Sequence, residues 1–322
     1  MIDISGARLQ PFQAFHSFHE RINVHIKVAH AANVLLVRHV GEPNNQDQLA
    51  ELITSCHPSW NAPPVRNLSI DLQRAQDASV SAFAVVSVFS AFDDFLISTE
   101  AEISRVVGNQ RTADPTSDES DASEDDEEKI DRVFRLYAFM SWSDTGITEL
   151  QPLLRYFRIC RNCIAHRNGR ASKALATQSA DPRLAIALAA LQDGRERGVM
   201  TFKVNEAIHV APTLAIMCSH ILRLIAIDAN NRLVETLGLD GILKSVAHHA
   251  VRLNDELGGK DRKRPEAIVN AFLTKSRVHM DSRQESIAEM KRVGVWTPYL
   301  KAISRGLATS NRSVKRTASG RR

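Results

Sequence analysis

Three observations predict an all-α fold for this chain. Apolar residues recur every three or four positions through nearly every periodic segment. Gly, Pro, Ser and Asn stand where such segments would start or stop. Only one short stretch, 199–210, alternates as strands do. With 322 residues, 43% of them hydrophobic and 24% charged, the chain has the composition of a globular protein and enough length to bury a large core.

The elements follow in order. Residues from Phe12 to about Val40 place Phe12, Phe15, Phe18, Ile22, Ile26, Ala29 and Val37 on one broad helical face, and Gly41 and Pro43 follow as stops. A shorter helix is predicted over Gln46 to Ser55, and the loop His57 to Pro64 breaks the pattern. The next helix, Ile70 to Val107, repeats Val80, Phe83, Val86, Phe89, Phe92, Leu96, Ile103 and Val106 at helical spacing, as the central helix of a bundle would. Two helices, Lys129 to Trp142 and Thr148 to His166, come next, and Asn168-Gly169 supplies a left-handed stop for the second. Ala171 to Leu191 reads as short helical pieces with Pro182 in a first turn, and 199–210 as a small β-hairpin turning at Asn205-Glu206. A strongly apolar helix runs from Pro212 to Leu237. Shorter, more basic helices are expected over Asp240 to Leu257, Pro265 to Ser276, Ser282 to Val293 and Pro298 to Arg305. Ser282 and Glu285 have capping-box spacing, and Thr297-Pro298 reads as an N-cap followed by a first-turn proline.

This organisation divides the chain into an N-terminal helical extension (1–65), a helical bundle with the hairpin inserted (66–238), a basic helical subdomain (239–307) and a flexible basic tail (308–322). Charge is unevenly spread. The stretch 112–128 holds nine acidic residues and no base, the composition of a disordered loop, whereas residues from Lys301 onward carry seven bases and no acid. A linker is the plain reading of the acidic stretch; the regulatory one is a phosphate mimic that occupies a cationic site. Positive charge comes from 30 Arg against 11 Lys, and guanidinium is the better fork for phosphate oxygens, although genome composition produces the same balance. Four cysteines in a chain this long do not make a secreted disulfide framework, and the first residues lack the basic flank and apolar run of a signal peptide. The longest charge-free apolar stretch, Ala78 to Phe92, is too short and too rich in Ser to span a bilayer, so a cytoplasmic protein without membrane attachment is expected.

The segment Arg161-Asn162-Cys163-Ile164-Ala165-His166-Arg167-Asn168-Gly169 carries the chemistry. An Arg followed four to six residues later by a His is not specific by itself. With 30 Arg and 12 His in the chain, about three such matches arise by chance at ordinary composition. Cleaving RNA without a metal requires a base for the 2′-hydroxyl proton, an acid for the leaving oxygen and a cation for the phosphorane. An imidazole serves the first two roles and a guanidinium the third. His166 and Arg161 fit, and Asn162 lies one turn before His166, where its amide can orient the ring or a phosphate oxygen. The alternative is a cationic last turn that complements the helix dipole.

An apolar helix ending in Arg-Asn-x-x-x-His, preceded by a long helix with an embedded acid in an otherwise helical chain, resembles the HEPN superfamily. The similarity falls on Arg161, Asn162 and His166, within a frame of about Ile70 to Leu237. The resemblance implies a HEPN-like bundle and a metal-independent endoribonuclease that needs no cofactor. It also implies a toxin or antiphage effector working on RNA, with an antitoxin or defence-system protein as partner. A homodimer would complete one composite site. Asp93 or Asp94 would be the supporting acid, sought by Arg161 or His166, and Arg158, Arg167 and Arg170 are the candidate RNA contacts. Two rival functions stay open: an inactive HEPN-like module that binds RNA or protein, and a DNA-binding regulator acting through residues 238–322.

Other clusters read as structural. Cys160 and Cys163 lack the further ligands of a zinc site and the βαβ frame of a redox motif, so they are assigned to helix packing. His248-His249 has Arg252 where a carboxylate ligand would stand and is assigned to surface or packing. No phosphate-cradling Gly loop and no G-x-S-x-G elbow is present, which argues against nucleotide and serine hydrolases. The basic run Lys260 to Arg264 and the tail suit a phosphate backbone.

Overall fold

The structure is a computed structural model, and it describes residues 2–40, 51, 54–56, 70–107, 131–191, 198–256 and 265–303. Most of the helix expected over Gln46 to Ser55, the loop around Trp60, the acidic stretch 112–128, the basic run Lys260 to Arg264 and the tail 308–322 lie outside these residues. The described chain is all-α. Its helices are α1 Gln10–Val40, α2 Ile70–Val107, α3 Arg132–Met140, α4 Gln151–His166 (preceded by a 3-10 turn, Thr148–Leu150), α5 Lys173–Ser179, α6 Arg183–Ala190, α7 Pro212–Glu256, α8 Pro265–Lys275 and α9 Arg283–Arg292, with a last helical segment over 296–303. That segment starts before the expected Thr297 cap and takes Pro298 into its first turn, where the ring removes no intrahelical hydrogen bond.

The expected β-hairpin is not formed. Residues 199–210 are extended around a turn in which Glu206 N–H donates to the Lys203 carbonyl (3.1 Å) and Asn205 takes φ 66°. Their backbone partner is the exit of α4: Ala171 N–H donates to Glu206 (2.9 Å), Asn205 N–H to Ala171 (2.8 Å) and Ile208 N–H to Gly169 (2.8 Å). Pairing with a neighbouring segment satisfies the groups that a hairpin would have satisfied internally.

The chain forms two compact units that are not consecutive in sequence, one drawn from residues 1–14, 95–121 and 226–322, the other from 15–94 and 122–225. Helices α1, α2 and α7 contribute residues to both. The second unit is built on aromatic and aliphatic side chains of α1, α2, α3 and α4; Phe15 and Phe92 meet edge-on at 5.7 Å, and Phe89, Tyr137, Leu153 and Phe157 are at most 1% exposed. Several of its buried polar groups are paired. Asn23 Nδ2 donates to His19 Nε2 (3.2 Å), which leaves the proton on Nδ1 to reach Ser219 Oγ at 2.7 Å. Burial pushes His19 down to about 4, so it remains neutral near pH 7. Asp77 receives His30 Nδ1 at 2.9 Å and Asn33 Nδ2 at 2.8 Å.

In the first unit, buried Asn230 ties the chain entering α1 by accepting from Leu9 N–H (3.0 Å) and donating to the Ala7 carbonyl (2.9 Å). Glycine decides two features of α7. Gly238 has φ 57° and ψ −173°, a conformation open essentially to glycine alone, and the regular helical path is interrupted there, at the boundary the sequence predicts between two helices. Gly238→Ala meets no steric neighbour, so its cost is conformational and is expected at about 1–3 kcal/mol of stability, read from the urea midpoint. Gly241 permits close approach: a β-carbon there would lie 2.9 Å from Val106 Cγ1 and 2.8 Å from Leu237 Cβ.

Beside that contact, Glu102 is 1% exposed, accepts from His249 Nε2 and pairs with Arg105 Nη1 at 2.8 Å. Burial raises its pKa, but His249 and Arg105 outweigh the burial and hold the carboxyl below the ordinary glutamate value. A depressed carboxyl contributes stability that is present above the unfolded-state pKa and lost as pH falls through the folded one. The thermal midpoint of Glu102→Gln is therefore expected to fall less than that of the wild type as the pH drops below about 4.5; parallel slopes would remove Glu102 from the acid limb.

By length and composition, Gln73–Val107 and Pro212–Arg252 meet the criterion for crossing a bilayer, although the stretch Ala78 to Phe92 alone does not. Their most apolar windows are 44% and 56% buried within the protein, the packing that core helices show.

Candidate functional site

Helix α4 is amphipathic over its whole length. Leu153, Leu154, Tyr156, Phe157, Cys160 and Cys163 are buried, Arg155, Asn162 and His166 are exposed, and Arg158 and Arg161 are half-buried between them. Its start uses Pro152 in the first turn. Its end is the expected left-handed stop: Arg167 N–H and Gly169 N–H both donate to the Cys163 carbonyl (3.0 and 3.1 Å), with Asn168 at φ 51° and Gly169 at φ 69°. The backbone bonds from Gly169 and Ala171 to the 205–208 segment then fix this exit in place.

The three motif residues come together at that end. Arg161 Nη1 donates to Asn162 Oδ1 (3.1 Å) and reaches His166 Nε2 at 3.5 Å. A guanidinium only donates, so this contact requires Nε2 to be the unprotonated ring nitrogen. Asn162 and His166 are exposed, while Arg161 is half-buried with its Nε inside the protein and its fork at the surface. Asn162 therefore orders the guanidinium directly. The result is an imidazole whose unprotonated nitrogen faces a fork of donors, open to solvent on one side.

Of the other candidates, Arg158 and Asp93 are paired with each other. Arg158 is not an open RNA contact: it lies over the Phe89 ring at 5.0 Å, donates from Nε to Asp131 (2.5 Å) and from Nη2 to Asp93 (3.2 Å). Burial opposes its charge, but Asp131 and Asp93 hold its pKa above the usual arginine value. Asp93 thus serves Arg158 rather than Arg161 or His166, because the α4 turn that faces α2 is the one bearing Arg158. Asp94 is exposed. Arg170 is exposed and donates to the Asn205 carbonyl at 3.1 Å, and Arg167 is half-buried beside the helix stop.

Asp131 was missed by sequence reasoning. Its oxygen accepts from Val133 N–H at 3.3 Å as the N-cap of α3 while it also holds Arg158. The signal was present as an Asp two residues before Val133, but it follows directly on the acidic run and reads as part of it. Glu102 was missed for a related reason, since its partner comes from α7 and not from its own helix.

Cys160 and Cys163 are each 1% exposed, and burial pushes the Cys160 thiol up to about 12, which suits a packing role and not a nucleophile. Among the described residues, no three His, Cys, Asp or Glu side chains are grouped as metal ligands. Compared with protein-family models, with curated proteins and with solved structures, the chain matches none.

Proposed function

We propose that this chain is a HEPN-like, metal-independent endoribonuclease that cleaves RNA by attack of the 2′-hydroxyl, acting as a toxin or antiphage effector. One observation carries the reading: Arg161 links Asn162 and His166 at an exposed helix end, where a guanidinium fork and an unprotonated imidazole nitrogen address the same point. In this reading His166 moves the proton, first as base toward the 2′-hydroxyl and then as acid toward the leaving 5′-oxygen. Arg161 stabilises the charge that develops on the phosphorane, and Asn162 holds Arg161 in register. Arg170 and Arg167 extend the cationic exit of α4 along the strand. A second copy of the chain would complete one composite site by bringing its own Arg161, Asn162 and His166 to the first.

The test is cleavage of a labelled RNA by purified full-length protein in excess EDTA. Persistence of cleavage and products ending in 2′,3′-cyclic phosphate are expected. Loss of cleavage on chelation, restored by Mg²⁺, would overturn the proposal.

A further inference from the structure

Helix α1 buries one side and leaves an apolar seam on the other. Within the second unit, Ile22 and Ile26 face the core, whereas Val24, Val28 and Leu35 are 59, 62 and 63% exposed and Ala31 is exposed between them. The steps from Val24 to Val28, Ala31 and Leu35 alternate four, three and four residues, the spacing of a coiled-coil seam. The same alternation meets Arg21 at one end and Arg38 at the other, over about 26 Å of axial rise, and Lys27 lies alongside. All three bases are exposed, and among the described residues none of their side chains is hydrogen-bonded or ion-paired. The only acid of α1, Glu20, precedes the seam and lies 3.3 Å from His16. We propose that this face of α1 is a docking surface for a partner protein's helix that carries an apolar seam closed at both ends by acidic side chains.

The seam selects the kind of occupant and the charge selects its composition. A stripe one residue wide, built from Val, Ala and Leu, offers holes for the knobs of one facing helix. A helix that lies in a bilayer surface instead needs a broad apolar face with large side chains. A second copy of this chain is disfavoured by the ends of the seam: parallel pairing sets Arg21 against Arg21 and Arg38 against Arg38, and antiparallel pairing sets Arg21 against Arg38. Either arrangement brings like charges together, whereas acids at the corresponding positions of a partner pair with both arginines. None of these residues belongs to the α4 site, so the surface stands or falls independently of RNA cleavage.

The probe is a labelled synthetic peptide of about 21 residues, with Leu at the central seam positions and Glu at the seam position on either side, titrated into the full chain by fluorescence anisotropy. Binding on the order of micromolar is expected, and a matching peptide with Lys in place of Glu is expected to bind about tenfold more weakly. Arg21→Glu combined with Arg38→Glu is expected to reverse that order. Val24→Ser combined with Val28→Ser is expected to weaken the acidic peptide about tenfold by removing apolar area from the contact. All four positions are exposed, and a melting curve run beside each titration verifies the fold. Absence of binding, equal affinity for the two peptides, no reversal by the charge swap, or wild-type affinity in the valine variant would overturn the proposal. So would sedimentation in which the valine variant dissociates an oligomer, the mark of a second copy on this face, or binding to phosphatidylserine vesicles that the same variant abolishes.

Discussion

Replacing His166 by alanine is expected to lower the rate of RNA cleavage by about 10²–10⁴-fold, the usual contribution of general acid–base catalysis. The side chain is exposed at the end of α4, so its removal forfeits only the interaction of a terminal residue with the helix dipole, about 1 kcal/mol at most. Rate and stability should therefore separate. Single-turnover cleavage and a thermal melt on the same preparations measure both. In a bacterial host, the wild type should arrest growth and degrade total RNA, and the alanine variant should do neither. A wild-type rate from the variant would remove His166 from the chemistry and leave the last-turn cation as the explanation of the motif.

Replacing Arg158 by methionine is expected to act in the opposite sense, costing about 3 kcal/mol of stability, because it leaves two carboxylates beside an apolar surface without their cation. The side chain is 27% exposed, which places the effect at the lower end of the range for a broken buried pair. Urea denaturation reads it as a shift in midpoint at constant slope. Combining Arg158→Met with Asp131→Asn should cost less than the two changes added, since each already breaks the same pair. Asp131→Asn keeps an acceptable N-cap for α3, so the cycle isolates the ion pair from the cap. Strict additivity, or an unchanged midpoint for Arg158→Met, would show that the contact contributes little.

On the sequence, Arg161 is the cation of the motif and Arg158, one turn before it, a further RNA contact. The structure turns Arg158 toward Phe89, Asp93 and Asp131 and leaves Arg161 with Asn162 and His166. The expected supporting acid exists, but it serves the neighbouring arginine. Likewise His248-His249 carried no carboxylate at helical spacing, and the carboxylate it has comes from α2, more than a hundred positions away.

What the sequence determined by itself is local. The bounds of α2, the left-handed stop at Asn168-Gly169, the cap at Ser282 and the meeting of Arg161, Asn162 and His166 all depend on residues within a few positions of one another, where periodicity, backbone preference and helical geometry act directly. Tertiary structure decided the rest. It set the pairing of 205–208 with the exit of α4 in place of a hairpin, the choice of Arg158 as the partner of Asp93 and Asp131, and the burial of Glu102 against His249. Each depends on which segments distant in sequence come within hydrogen-bond reach, and that follows from packing of the core and not from spacing along the chain.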